Sequence, residues 1–398
     1  MTAATLQLID PVSLRNILDL HAMFKAQKAG GRIANLSYID LTEMKLEGID
    51  LSDANLTGAR LYGASLRDAI LMRANLFGAD LRNADLRFAR LDRADLRGAC
   101  LRGANLTAAS LIGADLREGQ IAFKDDRQGL RLMKHERRPG ELDYAILSGA
   151  DLSGARLNGT AAVSTDFSDA NLTGTVLSQA KLRKANLDGA VLNGTDLSGA
   201  DVTGATLRGA VMVDTATAGC NLSEADTADM LQTPVSVYID DEPLDAVLSF
   251  HEEWVRTGGA KGARQALNSV DFRLVMDMRG RILSTLDAAE SVFFGLDLSG
   301  VEMQGANLVN ADLRRCNLRG ADLRGARLLG AKLNHADLEG AKLGPLELGG
   351  GRLMRTDMTG AILNHASLVN ADLTRARMIG VSADNVKDKG ANYTLAER

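Results

Sequence analysis

Residues 54–78 read ANLTG-ARLYG-ASLRD-AILMR-ANLFG, five blocks of five with Ala first and Leu third in every block. Working outward, Leu recurs at every fifth position from Leu36 to Leu116, seventeen times in succession, and Ala stands two places before it in fourteen of those seventeen. A second run has central positions from Leu142 to Leu222, with Leu at twelve of seventeen, and a third extends from Leu298 to Met378, with Leu at fourteen of seventeen. Period five fits neither regular element. On a helix five residues advance about 500°, so the leucines would wind round the axis. On a straight strand they would alternate between faces. Only a chain that bends once per block keeps every Leu and Ala on one inner side. Asp, Asn, Arg and Ser then face water, and the frequent Gly in the last place suits a tight corner. The pattern is a solenoid.

Composition agrees with a thin, regular interior. Apolar residues make up 45% of the 398 but aromatic ones only 4%, so the core is built from Leu and Ala. Forty-six Lys and Arg against 51 Asp and Glu leave a net charge of −5, which excludes a polyanionic tail or a globally basic nucleic-acid binder. Three scattered Cys with no CxxC pair give neither a disulfide framework nor a zinc site. The first residues lack a basic segment followed by an apolar one, and no run of about 18 apolar residues occurs. The expectation is a cytoplasmic protein with no membrane span.

The A-(D/N)-L-x-x pattern, as in Ala54-Asn55-Leu56 and Ala94-Asp95-Leu96, resembles the pentapeptide-repeat proteins over about two-thirds of the chain. The resemblance implies an all-β solenoid: a right-handed quadrilateral β-helix with four repeats per coil, joined here by short capping α-helices. If coils stack at about 4.8 Å, each run makes about 20 Å of rod. An inward Leu and an outward Asp predict that Leu96→Arg destabilises strongly while Asp95→Ser is nearly silent.

Two breaks divide the chain. The N-terminal capping helix spans 1–31, with Leu14, Ile17, Leu18, His21 and Phe24 at helical spacing before Gly30 and Gly31. A pentapeptide β-helix follows over 32–118, then a charged, hairpin-like excursion over 119–141, then a β-helix over 142–229. Residues 230–264 form a linker and a second cap-like helix, in which Val235, Val237 and Ile239 alternate as in a short strand and Leu244, Val247, Leu248, His251 and Trp254 recur at helical spacing. His251 thus corresponds to His21 and Trp254 to Phe24. A second β-helix module covers 265–380, and a polar tail 381–398 is left over. Bare solenoid ends expose strand edges, which is why both helices read as caps.

No constellation points to catalysis. There is no G-x-S-x-G elbow, P-loop or dinucleotide fingerprint, and Gly258–Gly262 reads as a helix C-cap. His335 and His365 lie thirty residues apart, one and a half coils, which places them on opposite faces. Cys220 and Cys316 take the inward Ala place; Cys100 faces out alone. The chain is read as no enzyme, with no cofactor and no metal.

Taking every twentieth residue of the third run groups Leu313, Leu333, Leu353 and Leu373 on one face. That face carries Arg314, Arg315, Lys332, Arg352, Arg355 and Arg375 against Asp312 and Asp372 alone, with a corner column Arg315, His335, Arg355, Arg375. The excursion adds Lys124, Arg127, Arg131, Arg137 and Arg138. These are the candidate partner-binding residues. In the first run Ile70, Met72 and Ile112 form a modest outward apolar patch. The expected function is a non-catalytic scaffold that binds an unidentified protein partner through charged solenoid faces. The alternative, implied by the resemblance, is a DNA-mimicking modulator of DNA gyrase or topoisomerase of the quinolone-resistance type, working as a homodimer. Its acidic surface would come from 142–227, where 10 Asp and Glu face 5 Lys and Arg, because 32–118 is balanced at 12 against 12. Nucleic acid is not an expected partner, since no aromatics interleave the basic column.

Overall fold

A computed structural model describes residues 6–125 and 129–398, and for 120–125 and 129–138 the backbone alone. Each five-residue block folds as a corner. Around Leu51 the Ala54 N–H donates to the Leu51 C=O at 3.1 Å, closing a turn in which Asp53 has φ 66°. A left-handed third residue is what a type II turn demands. Gly58 sits at such a corner, and a Cβ there would lie 2.6 Å from the Tyr38 ring of the coil below, so a larger residue would have to displace that ring.

Corners stack through a backbone ladder. Leu51 N–H donates to Ile70 C=O at 2.7 Å and Asp53 N–H to Met72 C=O at 2.9 Å, while Asn55 N–H reaches back to Ala34 C=O at 3.0 Å. The parallel bridges pair residues twenty apart, as in Asn35 with Asn55, so four blocks make one coil. The result is a repeat β-solenoid whose interior is a stack of Leu and Ala; Leu56, Leu76, Ala54 and Ala74 are fully buried. Where a polar residue takes the Ala place, its donor turns to a carbonyl. Thr165 Oγ1 donates to Leu142 O at 2.7 Å, Thr195 Oγ1 to Leu172 O at 2.6 Å, and Cys316 Sγ to Phe293 O at 3.0 Å. A buried hydroxyl so satisfied costs little.

The chain forms two compact units, Met1–Thr233 and Pro234–Arg398. In the first, strand β1 (Gln7–Leu8) pairs in parallel with β2 (Ile39–Asp40), and helix α1 (Pro11–Lys25) lies between them in sequence. Asp10 caps α1 by accepting from Val12 and Ser13 N–H at 3.0 Å. The hairpin β3 (Gly119–Asp125) with β4 (Gly129–Arg138) leaves a coil and returns to it, so Cys100 pairs with Glu141, forty-one residues on. The insertion is therefore twenty-one residues, one coil plus one, and the rod resumes with its faces aligned.

The second unit opens with β5 (Tyr238–Ile239), β6 (Glu242–Pro243) and helix α2 (Leu244–Arg256). Only residues 238–239 of the alternating Val235–Ile239 stretch pair as a strand, and Val235 is 74% exposed. The coils begin at Leu267, Phe272, Met278 and Leu283, all buried, and Phe272 stacks on Phe293 at 4.4 Å inside the lumen. The rod is then interrupted by the hairpin β7 (Leu346–Glu347) with β8 (Leu353–Met354). Residues 381–398 form a further coil: Ser382, Lys387, Asn392 and Glu397 bridge to Ile362, Ser367, Asp372 and Arg377.

Candidate partner-binding faces

The outward residues next to each Leu are less free than their charge suggests. Asp and Asn before Leu accept the N–H of the residue after it, as Asp95 Oδ1 does from Arg97 N at 3.2 Å. In D-L-R blocks the Arg then folds back on the same carboxylate. Arg97 Nε and Nη2 reach Asp95 at 2.8 and 2.7 Å, and the same fork recurs at Arg82–Asp80, Arg87–Asp85, Arg117–Asp115, Arg273–Asp271 and Arg324–Asp322. Bidentate pairing of this kind holds Asp85 below the ordinary carboxylate value through the Arg87 hydrogen bond, and pulls Asp277 down to about 2 through Arg279. Asp95 is thus a turn-forming residue rather than an idle surface one.

The basic column expected from every twentieth residue does not form. Arg327 bridges to Asp357 and Lys332 to Ile362, thirty residues apart, because hairpin β7–β8 inserts ten. Two blocks of five leave the Leu spacing intact but turn the following chain by half a coil. Leu348 and Leu353, counted as inward, are 50% and 40% exposed on the hairpin. The corner above Arg315 and His335 is occupied by His365: His335 N–H donates to Asn364 O, and the two imidazoles stack at 4.8 Å, 9° from parallel. The placing of these histidines on opposite faces is therefore wrong, for the same reason.

The named cations separate into two groups. Arg314 is buried, bonded to Asp312 at 2.8 and 2.6 Å and set 5.4 Å over the Phe294 ring. Arg315, Lys332 and His335 share its face, half-buried. Arg352, Arg355 and Arg375 are exposed beside the hairpin on another corner. There Arg355 Nε donates to Arg375 O at 2.6 Å, and its guanidinium lies 3.2 Å from Glu397, which Arg377 also reaches at 3.5 Å. Lys124, Arg131, Arg137 and Arg138 belong to β3 and β4, whose side chains lie outside the described residues, as does Arg127 altogether.

The hairpin was missed because its length is a multiple of the period. A signal was present in the Ala column, which fails at Leu346 and Gly351. Its base is fixed by the buried Thr356, whose Oγ1 accepts from Gly325 N–H at 2.9 Å and lies 2.9 Å from Gly344 O. Leu346 and Met354 fold over a neighbouring corner, where a Cβ on Gly325 would come within 2.8 and 2.9 Å of them.

Other groups are accounted for locally. Cys100 is half-buried, not outward and alone; its Sγ donates to Glu141 at 3.1 Å, and burial pushes the thiol up to about 11. An open groove of about 370 Å³, bordered by Met212, Asp214, Thr217 and Met230, lies at the end of the first unit. Among the described residues no group of three His, Cys, Asp or Glu is placed to hold a metal, and no helix is long and apolar enough to cross a membrane.

Four-block coils with a Leu–Ala lumen and Asx-closed corners define a repeat β-solenoid. The profile of pentapeptide repeats matches residues 34–71, 69–107, 141–174, 170–209, 306–344 and 352–387, more than half of the chain, which therefore belongs to the pentapeptide-repeat family. No curated protein matches it. Among solved structures it is similar to QnrB1, a plasmid-mediated fluoroquinolone resistance protein, at 15% identity over 49% of this chain and 87% of that one, with a TM-score of 0.29. It is also similar to HetL, a pentapeptide repeat protein involved in heterocyst differentiation regulation from the cyanobacterium Nostoc, at 21% identity over 98% and 96% of the two chains, TM-score 0.16. Rfr23 from the cyanobacterium Cyanothece is 26% identical over 34% of this chain and 91% of its own, TM-score 0.22.

Proposed function

We propose that this chain is a non-catalytic cytoplasmic scaffold, each unit a right-handed four-sided coil with its own capping helix, α1 or α2, that binds an acidic protein partner. One observation carries this reading: hairpin β7–β8 projects from the rod with Leu348 and Leu353 exposed, beside Arg352, Arg355 and Arg375. Elsewhere most of the described arginines are ion-paired with a carboxylate, eight of them with the Asp two residues before, so this corner is where outward apolar and cationic groups meet. Arg is enriched among binding hot spots, and exposed Leu beside it adds apolar area to bury. The carboxylates that would serve acid–base chemistry are instead spent on closing turns.

The test is affinity capture with the whole protein beside a Leu348→Ser/Arg352→Glu/Arg375→Glu variant of equal melting temperature. A defined protein retained by the first and lost by the second supports the scaffold; equal capture by both removes the hairpin corner from it. The 142–227 stretch, with 10 acidic against 5 basic residues, favours a second reading as a DNA-mimicking homodimer acting on gyrase. Inhibition of gyrase supercoiling, undiminished in the same variant, would select that reading.

A further inference from the structure

Two buried histidines occupy equivalent places in the two units. His21 on α1 is 1% exposed, and its Nδ1 accepts the Ala34 N–H at 3.1 Å. His251 on α2 is 0% exposed, and its Nδ1 accepts the Gln265 N–H at 3.0 Å. Each lies against the aromatic three residues on, His21 stacked near Phe24 at 6.2 Å and His251 tilted near Trp254 at 5.8 Å. In each the chain then doubles back tightly on the helix end. A Cβ on Gly31 would lie 2.3 Å from Phe24 N, and one on Gly262 2.1 Å from Phe250 O. The N–H groups held by the imidazoles belong to the residues that lead into Leu36 and Leu267, the first buried Leu of each solenoid. The helices themselves bury Leu14 in one core and Leu244, Val247 and Leu248 in the other.

An imidazole accepts through Nδ1 only when that nitrogen is unprotonated. His251 Nε2 lies 3.1 Å from Ser284 O and is therefore its proton-bearing nitrogen. In His21 the accepting Nδ1 likewise leaves the neutral ring's proton on the buried Nε2, so a second proton could go only to Nδ1. We propose that His21 and His251 are acid-sensitive latches, whose protonation frees each helix from the coil it covers and bares that coil. A proton on Nδ1 would point at the Ala34 or Gln265 N–H, turning acceptor into a second donor.

The surroundings set the direction. Burial lowers the His21 value, aided by the Lys25 ammonium and opposed by the Asp50 and Asp53 carboxylates and the Ser52 backbone. Burial also lowers that of His251, aided by Arg264 and opposed by the Ser284 carbonyl and Glu252. With folded values below the ordinary 6.5, the unfolded or released form binds the proton more tightly. The latch is thus fully closed above the ordinary value and weakens as pH falls through the window beneath it.

Amide hydrogen exchange followed by NMR on the whole chain, from about pH 7.5 to 5 and corrected for intrinsic rate, reads the latch at Ala34 and Gln265. Protection there should fall by up to about tenfold per unit of pH once the ordinary value of 6.5 is passed, and level off below each folded value. The Leu96 amide, bonded to Asp115 O at 2.8 Å inside the rod, should hold constant. In His21→Asn and His251→Asn the carboxamide oxygen keeps an acceptor that does not titrate, and protection should stay flat with pH. Parallel loss in these variants would overturn the latch, as would flat protection in the unmodified chain. Should a variant fail to fold, imidazole ¹⁵N shifts of the unmodified protein decide. Both rings must carry the proton on Nε2 at neutral pH and titrate below free histidine; a ring titrating at or above it overturns the proposal.

Discussion

At the scale of a residue, the repeat is held by an inward apolar pair and an outward Asx oxygen. Leu96 is fully buried, and a Leu in that state is worth about 1.5–3 kcal/mol. Leu96→Arg loses that and leaves a charge in the lumen, so about 4 kcal/mol or more should disappear in urea unfolding of the first unit. The aspartates divide by burial. Asp95 is part-exposed with a self-paired Arg97, and Asp95→Ala should cost about 1 kcal/mol or less. Asp312 and Arg314 keep only 10% and 6% of their side chains in contact with water. Asp312→Ala therefore strands a buried guanidinium and should cost about 3–5 kcal/mol by the same measurement. Acid acts on these carboxylates separately from the histidines. Hydrogen bonds from Thr42 and Arg87 hold Asp40 and Asp85 below their ordinary 3.8, so their stabilisation is complete above that value and is lost as pH falls beneath it. Melting temperature against pH should accordingly show two declines, one below about 6.5 and another below about 3.8. A single decline confined to the lower window would leave His21 and His251 without influence.

At the scale of an element, the sequence was legible wherever the period could be tested and blind where an insertion respected it. The excursion after Leu116 adds twenty-one residues, shifts the Leu register by one and so announces itself. Hairpin β7–β8 adds ten, preserves every-fifth Leu at positions 348 and 353, and so hides among the repeats while moving Arg355 and Arg375 off the corner of Arg315. The inward residues and the block corners followed from spacing; which outward side chains meet did not, because facing depends on the count modulo a whole coil. The pairing of Arg with its own Asp was also unreadable from charge totals, which treat both as surface. Removing residues 346–355 should test this account of the hairpin. The deletion rejoins Leu343-Gly344-Pro345 to Thr356-Asp357-Met358 at the five-residue spacing of an ordinary block. The shortened chain should keep its circular-dichroism signature and melt within a few degrees of the parent. Removing only 346–350 should lower the melting temperature much further, since it turns the remaining coils by one face and parts Asp357 from Arg327.

At the scale of the molecule, the two units have separate interiors. The core of the first runs from Leu14 to Met212, and that of the second from Leu244 to Met378, with no residue in common. Each also has its own helix packed into its own core, with the same His, aromatic and Gly placements. Stability in a solenoid is a sum of coil-to-coil contacts, so separate interiors confine a lesion to the unit that carries it. Residues 1–233 and 234–398, expressed apart, should therefore each fold, with β-type circular dichroism and a cooperative melt. In the whole chain Leu96→Arg should strip hydrogen-exchange protection from the first unit and leave Leu318 and Leu338 protected. If the 234–398 fragment is unfolded alone, or Leu318 and Leu338 in the whole chain lose protection when Leu96 is replaced, the second solenoid depends on the first and α2 is not a sufficient cover for its end.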